Sequence, residues 1–164
     1  MLKSNRTLWF VPLCFALLAA ACGGDDSGPT GPTTSQPRLT GDWTGSFEGQ
    51  LISSDQMSTN LQQGEGQHGE RTNVDGTWSA TVRLPPVPGA PTEVELTGTA
   101  RGNAEGADVE LSFTIDGFRD YFPEGCAIDL TGTFDATTLS GTWTTNDMCQ
   151  PPAVDQGTIT LMRQ

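Results

Sequence analysis

Basic residues, histidine and helix-forming stretches are all scarce in this chain. Lys and Arg together number 8 against 20 Asp and Glu over 164 residues, giving a net charge of -12, and His68 is the single histidine. No basic patch interrupts the acidic background, so general attraction to nucleic acid or anionic lipid is excluded. One histidine also restricts catalysis. His68 sits in the polar run Gly64-Glu65-Gly66-Gln67-His68-Gly69-Glu70, where it reads as a solvated side chain, and a Ser-His-Asp site would have to be built on that run without a nucleophile elbow. Zinc sites of usual composition are likewise short of ligands. Uninterrupted Ala/Leu/Glu/Lys stretches are nearly missing while Gly reaches 20 and Pro 11, which argues against helical bundles, coiled coils and large α/β enzymes.

A long apolar run is missing as well. The longest, Leu8 to Ala21, has 14 residues and contains Pro12, whereas a spanning helix needs ~20. With Lys3 and Arg6 before it and Ala19-Ala20-Ala21-Cys22 after it, residues 1–21 read as a cleaved signal peptide. Leu17-Leu18-Ala19-Ala20-Ala21-Cys22 resembles a bacterial lipobox, which implies that Cys22 becomes a lipidated N-terminus and that the membrane is reached through this lipid. The third residue before the cysteine is Ala19 rather than the usual Leu, which leaves the alternative of ordinary cleavage and a secreted or periplasmic soluble product. Gly23 in place of Asp after the cysteine implies, by the enteric sorting pattern, the outer membrane. Residues 22–37 hold Gly, Pro, Ser and Thr with nothing to bury, a tether reaching about 20 Å. Without residues 1–21 the chain keeps six Arg, no Lys and a charge of -14.

Residues 38–164 alternate apolar and polar positions with period two, the signature of antiparallel sheet wet on one face. Trp43, Phe47 and Leu51 form one set; Trp78, Ala80, Val82 and Leu84 a second; Val94, Leu96, Gly98 and Ala100 a third; Val109, Leu111, Phe113 and Ile115 a fourth. Ile128 to Phe134, Leu139 to Trp143 and Gly157 to Leu161 complete seven strands, with a weaker eighth near Met57 to Gln63. A motif of polar residue, Gly, any residue and apolar residue recurs at uneven intervals, as in Asp75-Gly76-Thr77-Trp78 and Ser140-Gly141-Thr142-Trp143. Its inward glycines predict sharp coiling or a bulky neighbour crossing above. About eight short strands, joined by loops such as 85–91 and 102–106, predict an all-β fold, an antiparallel up-and-down β-barrel, with a β-sandwich as the alternative. Leu39-Thr40-Gly41-Asp42-Trp43 resembles the Gly-x-Trp first strand of calycins, the superfamily of lipocalins, fatty-acid-binding proteins and avidins. The Thr-Gly-Thr-Phe, Ser-Gly-Thr-Trp, Gly-Thr-Ile-Thr-Leu series over 131–161 is similar to that of small bacterial lipoproteins of unassigned function. Neither resemblance brings catalytic residues or a cofactor.

Cys126 and Cys149 are left for an oxidising compartment, and a disulfide is the economical reading. Pairing Phe134 with Leu139 across their hairpin sets Cys126 opposite Asp147, so the chain must bend after Asp147, as Pro151-Pro152 would allow, for Cys149 to reach it. Closing this loop of about 24 residues contributes roughly 3 kcal/mol in the chain-entropy model. Asp116, Asp120 and Glu124 recur at intervals of four. They offer oxygen ligands or a hydrolytic carboxylate pair, but the spacing matches no calcium loop and they read as solvated. Phe118, Tyr121 and Phe122 lie together between strands and are the candidate residues for ligand or partner contact if they form an aromatic lip; as a short helical turn they would instead plug the barrel's end. The functional expectation is a lipid-anchored, non-catalytic envelope protein with a binding or interaction domain. A carrier of a small apolar ligand is the alternative, and a loop-carboxylate hydrolase a third. A carrier needs ~300 Å³ of interior, whereas Trp43, Trp78, Trp143, Phe47, Phe113 and Phe134 on inward positions predict a filled one.

Overall fold

The computed structural model describes residues 37–164 except 67, 68, 87, 90, 118–121 and 150–153, all within the compact unit Ser35–Gln164. Its strands are β1 (Gly41–Gly49), β2 (Ser53–Gln63), β3 (Thr72–Arg83), β4 (Glu93–Glu105), β5 (Asp108–Thr114), β6 (Ala127–Phe134), β7 (Thr138–Thr145) and β8 (Gln156–Arg163). Each pairs antiparallel with the next, and β8 returns to β1, closing an eight-stranded up-and-down barrel. A sandwich is therefore ruled out. Closure follows from the sequence pattern: an alternating sheet has one dry face to hide, and a closed wall hides it without leaving unpaired edges.

Inward residues from all eight strands form one continuous core, with Trp43, Phe47, Phe113, Leu39, Leu96, Leu130 and Leu161 almost wholly buried. Each large side chain so buried is worth ~1.5–3 kcal/mol against exposure. Space for the indoles comes from glycine. Trp78 lies across the ladder from Gly98 and Trp143 from Gly157. A Cβ on Gly98 would sit 1.7 Å from the Thr114 carbonyl oxygen and 2.7 Å from Trp78 Nε1. The same indole nitrogen donates to the Thr114 carbonyl at 2.9 Å, and Trp143 Nε1 to that of Thr158 at 3.1 Å. Edge-to-face contacts of Trp78 with Phe113 and Trp143 with Phe47, at 5.9 and 5.5 Å between centroids, complete the filling.

Three local expectations are corrected. β2 is a full strand of 11 residues, longer than β1. Its period was masked because Ser54 and Thr59 face inward beside Met57 and Leu61, and because an irregularity between Ser53 and Gln56 changes the parity. Residues 102–105 belong to β4 rather than to a loop; Gly102 faces Leu111, and the turn to β5 is only Gly106-Ala107, with Gly106 at φ 63. β1 ends at Gly49, so Leu51 lies past it, and the neighbouring Ile52 is the more deeply buried of the two. The bend expected after Asp147 is present: the chain turns over Asp147–Cys149, and the Cys149 amide donates to the Asn146 carbonyl at 3.1 Å. Pro151-Pro152 lie outside the described residues.

Candidate functional site

Up-and-down order sends alternate connections to opposite ends. The near end carries the entering segment 37–40, the connections 64–71, 106–107 and 135–137, and the exit of β8. The far end carries 50–52, 84–92, 115–126 and 146–155. The entering segment closes the near end. Leu39 is fully buried, its amide donates to Gln63 Oε1 at 2.8 Å, and its carbonyl accepts from Trp43 Nε1 at 2.8 Å. Arg163, from the last strand, lies with its guanidinium carbon 4.6 Å from the centre of the Trp43 ring and donates to the Arg38 carbonyl. Arg38 in turn donates to the carbonyls of Gln63 and Gly64 at 3.0 and 2.9 Å. First strand, last strand and entry segment are thus tied at one point. Sequence reading passed over Arg38 and Arg163, whose partners are backbone carbonyls and a ring face.

Two clamps organise the far end. Cys126 and Cys149 form a disulfide with Cα atoms 4.5 Å apart, both residues buried, joining the 115–126 connection to the 146–155 one. The second clamp, Asp155, was not singled out in the sequence. It is 4% exposed, and its carboxylate accepts four backbone amides: Gln50 at 2.9 Å and Gln156 at 2.9 Å on Oδ1, Leu51 at 3.0 Å and Ile52 at 2.8 Å on Oδ2. Its own amide donates to Thr145 Oγ1 at 2.8 Å. Three of the four far-end connections are therefore fastened together. Only the acid's place just before a strand, after a Pro-rich run, hinted at this role.

Of the expected contact residues, Phe122 is described and is buried in the core at 8% exposure; Phe118 and Tyr121 lie outside the described residues, as do Cys22, His68 and Asp120. Asp116 and Glu124 are both exposed, and the Asp116 amide donates to the Thr97 carbonyl at 2.8 Å. No group of three or more His, Cys, Asp or Glu suited to a metal occurs among the described residues. Surface depressions lie at the near end beside Arg71 and Glu110, and on the outer wall over β1 to β4 among Thr44, Ser58, Ser79 and Thr99. Three arginines pair with acids at the surface, Arg71 with Glu110 at 3.1 Å, Arg101 with Asp75 at 3.7 Å, and Arg83 with Asp55 and Glu93. Hydrogen bonding to Asp55, then its charge, raises the Arg83 pKa further above its ordinary value. At such exposure these pairs contribute little to stability.

No family model, curated protein or solved structure matches the chain. The arrangement itself is that of a wall packed with its own side chains, and its fastened connections gather at the end away from the entering segment. Among the described residues no helix is long and apolar enough to cross a membrane.

Proposed function

We propose that the chain is an outer-membrane lipoprotein of the cell envelope, with residues 1–21 removed, a lipid on Cys22, residues 22–37 as tether, and a non-catalytic barrel over 38–164 that serves in binding or interaction. One observation carries the choice of a surface-acting domain over a carrier: three tryptophans, four phenylalanines and the inward leucines belong to one buried cluster. A carrier must leave room for its ligand, ~300 Å³ or more, and here the protein's own rings occupy the inward positions. We place the barrel with the calycin-like lipoproteins, supported by Gly41-Asp42-Trp43 opening β1, with Trp43 seated at the near end under Arg163.

Mass spectrometry of the detergent-extracted protein from its own cells tests the anchor. A diacylglycerol-modified Cys22 at the N-terminus is the expected result. An unmodified Cys22 in the aqueous fraction overturns the localisation. Native mass spectrometry of the same preparation tests the filled barrel, since a co-purifying apolar molecule would establish the carrier instead.

A further inference from the structure

Among the described residues the methionines place sulfur in three settings. Met57 is 3% exposed in the core, Met148 is 56% exposed in the 146–155 connection, and Met162 is 48% exposed on β8. A dissolved oxidant reaches the last two and not the first. Single exposed hydrophobics are ordinary, so exposure alone assigns nothing. What distinguishes Met162 is the pair of hydroxyls beside it.

Leu161 is fully buried, so by strand alternation Met162 stands on the outer wall. It is in register with Thr138 of β7 on one side and Thr44 of β1 on the other. Directly opposed side chains in such a row have Cβ atoms about 4.5–5.5 Å apart, within reach of a long thioether. Thr138 Oγ1 donates to Met162 Sδ at 3.7 Å. On the other flank Thr44 Oγ1 accepts from Gln164 Nε2 at 2.5 Å, which leaves the Thr44 proton to be given to a further acceptor. Thioether sulfur is a weak acceptor, so the seat between these hydroxyls is under-used.

We propose that Met162 is a modification site of the outer wall, oxidised to the sulfoxide by a peroxide and held in that form by the Thr138 and Thr44 hydroxyls. With hydrogen peroxide, a sulfur lone pair attacks one oxygen and an S–O bond forms as the O–O bond breaks. Sulfur is oxidised by two electrons, and the second oxygen leaves as water with both peroxide protons. The product is polar and reversible by methionine sulfoxide reductases. Its oxygen accepts from hydroxyls that the thioether engaged poorly, and on the outer wall it disturbs no core packing. At Met57 the same oxygen would enter the apolar core, where burying a polar group is costly. The site is independent of the lipid anchor, since every group it uses lies on β1, β7, β8 or the residue after β8.

The test treats the full Met148→Leu chain with hydrogen peroxide, so that Met162 is the exposed thioether of the barrel, and follows each methionine by peptide mass spectrometry. Met162 should gain one oxygen about tenfold or more faster than Met57, whose oxidation requires the barrel to open. The oxidised protein should melt no lower than the reduced one. In Thr138→Val the oxidised form should melt below the reduced form, and Thr138→Ser, which restores the donor, should behave as the parent. Circular dichroism of both variants before oxidation checks that the barrel is intact. Oxidation of Met57 as fast as Met162, an oxidised parent that melts below its reduced form, or a Thr138→Val chain whose oxidised and reduced forms melt together overturns the proposal.

Discussion

Replacing Asp155 should damage this barrel more than replacing any acid on its outer wall, and the asparagine variant is the informative one. Both carboxylate oxygens are used, Oδ1 by the amides of Gln50 and Gln156 and Oδ2 by those of Leu51 and Ile52. Asp155→Ala removes both acceptor oxygens and with them all four hydrogen bonds. The Ile52 hydrogen bond is buried and its donor pays the full cost of lost pairing, while the other three are part-buried and recover some hydration. Relief from burying a carboxylate offsets part of the loss, leaving about 3 kcal/mol of destabilisation. Asp155→Asn keeps the shape but turns one oxygen into a donor facing two donors, whichever way the amide is flipped. It loses two hydrogen bonds and the charge that strengthened the others, so it should cost about 2–3 kcal/mol, nearly as much as alanine. Urea denaturation measures both, and hydrogen exchange should show the Leu51 and Ile52 amides losing protection ahead of the strands. An asparagine variant within ~0.5 kcal/mol of the parent, the range of ordinary surface substitutions, would refute the assignment of Asp155 as a clamp.

Three further outcomes follow from the same structure. Cys126→Ala should lower stability by roughly 3 kcal/mol in the chain-entropy model while the far-ultraviolet spectrum stays that of a β-barrel, because strand closure is independent of the bridge; a chain unfolded at 25 °C would contradict this. Gly98→Ala should cost 3 kcal/mol or more, roughly the upper range of overpacking, since its methyl group meets the Thr114 carbonyl rather than a movable side chain, and thermal melting tests it. Hydrogen bonds from the Thr137 amide, then the Thr138 amide and the Thr137 hydroxyl, hold the Asp135 carboxyl below its ordinary pKa of 3.8. A carboxyl depressed on folding stabilises above its unfolded pKa and loses that contribution as pH falls through the folded one. Asp135→Ala should therefore lower stability at neutral pH and lose its difference from the parent in strong acid, as paired melts at the two pH values would show.

Legibility followed burial chemistry. Strands whose inward positions are apolar, such as β3 with Trp78, Ala80 and Val82, announce themselves through period two, and from enough of them the closed wall could be inferred. β2 carries Ser54 and Thr59 inward across an irregular register; its stability comes from two flanking strands, a cooperative fact that alternation in one segment does not encode. The disulfide was readable because hairpin register is local. Asp155 was not, because its partners are main-chain amides about a hundred residues away in sequence, and every residue type supplies those. Arg163 stayed hidden for a like reason: its ring partner Trp43 lies at the opposite end of the barrel's sequence, joined to it only by closure.

Pairing of β1 with β8, from Trp43 against Arg163 to Gly49 against Gly157, has a consequence for biogenesis. The first strand made must wait, unsatisfied along one side, until the last is released, so folding is governed by a late, long-range step of the kind that is intrinsically slow. During that interval the open ribbon presents two sticky margins to other nascent copies.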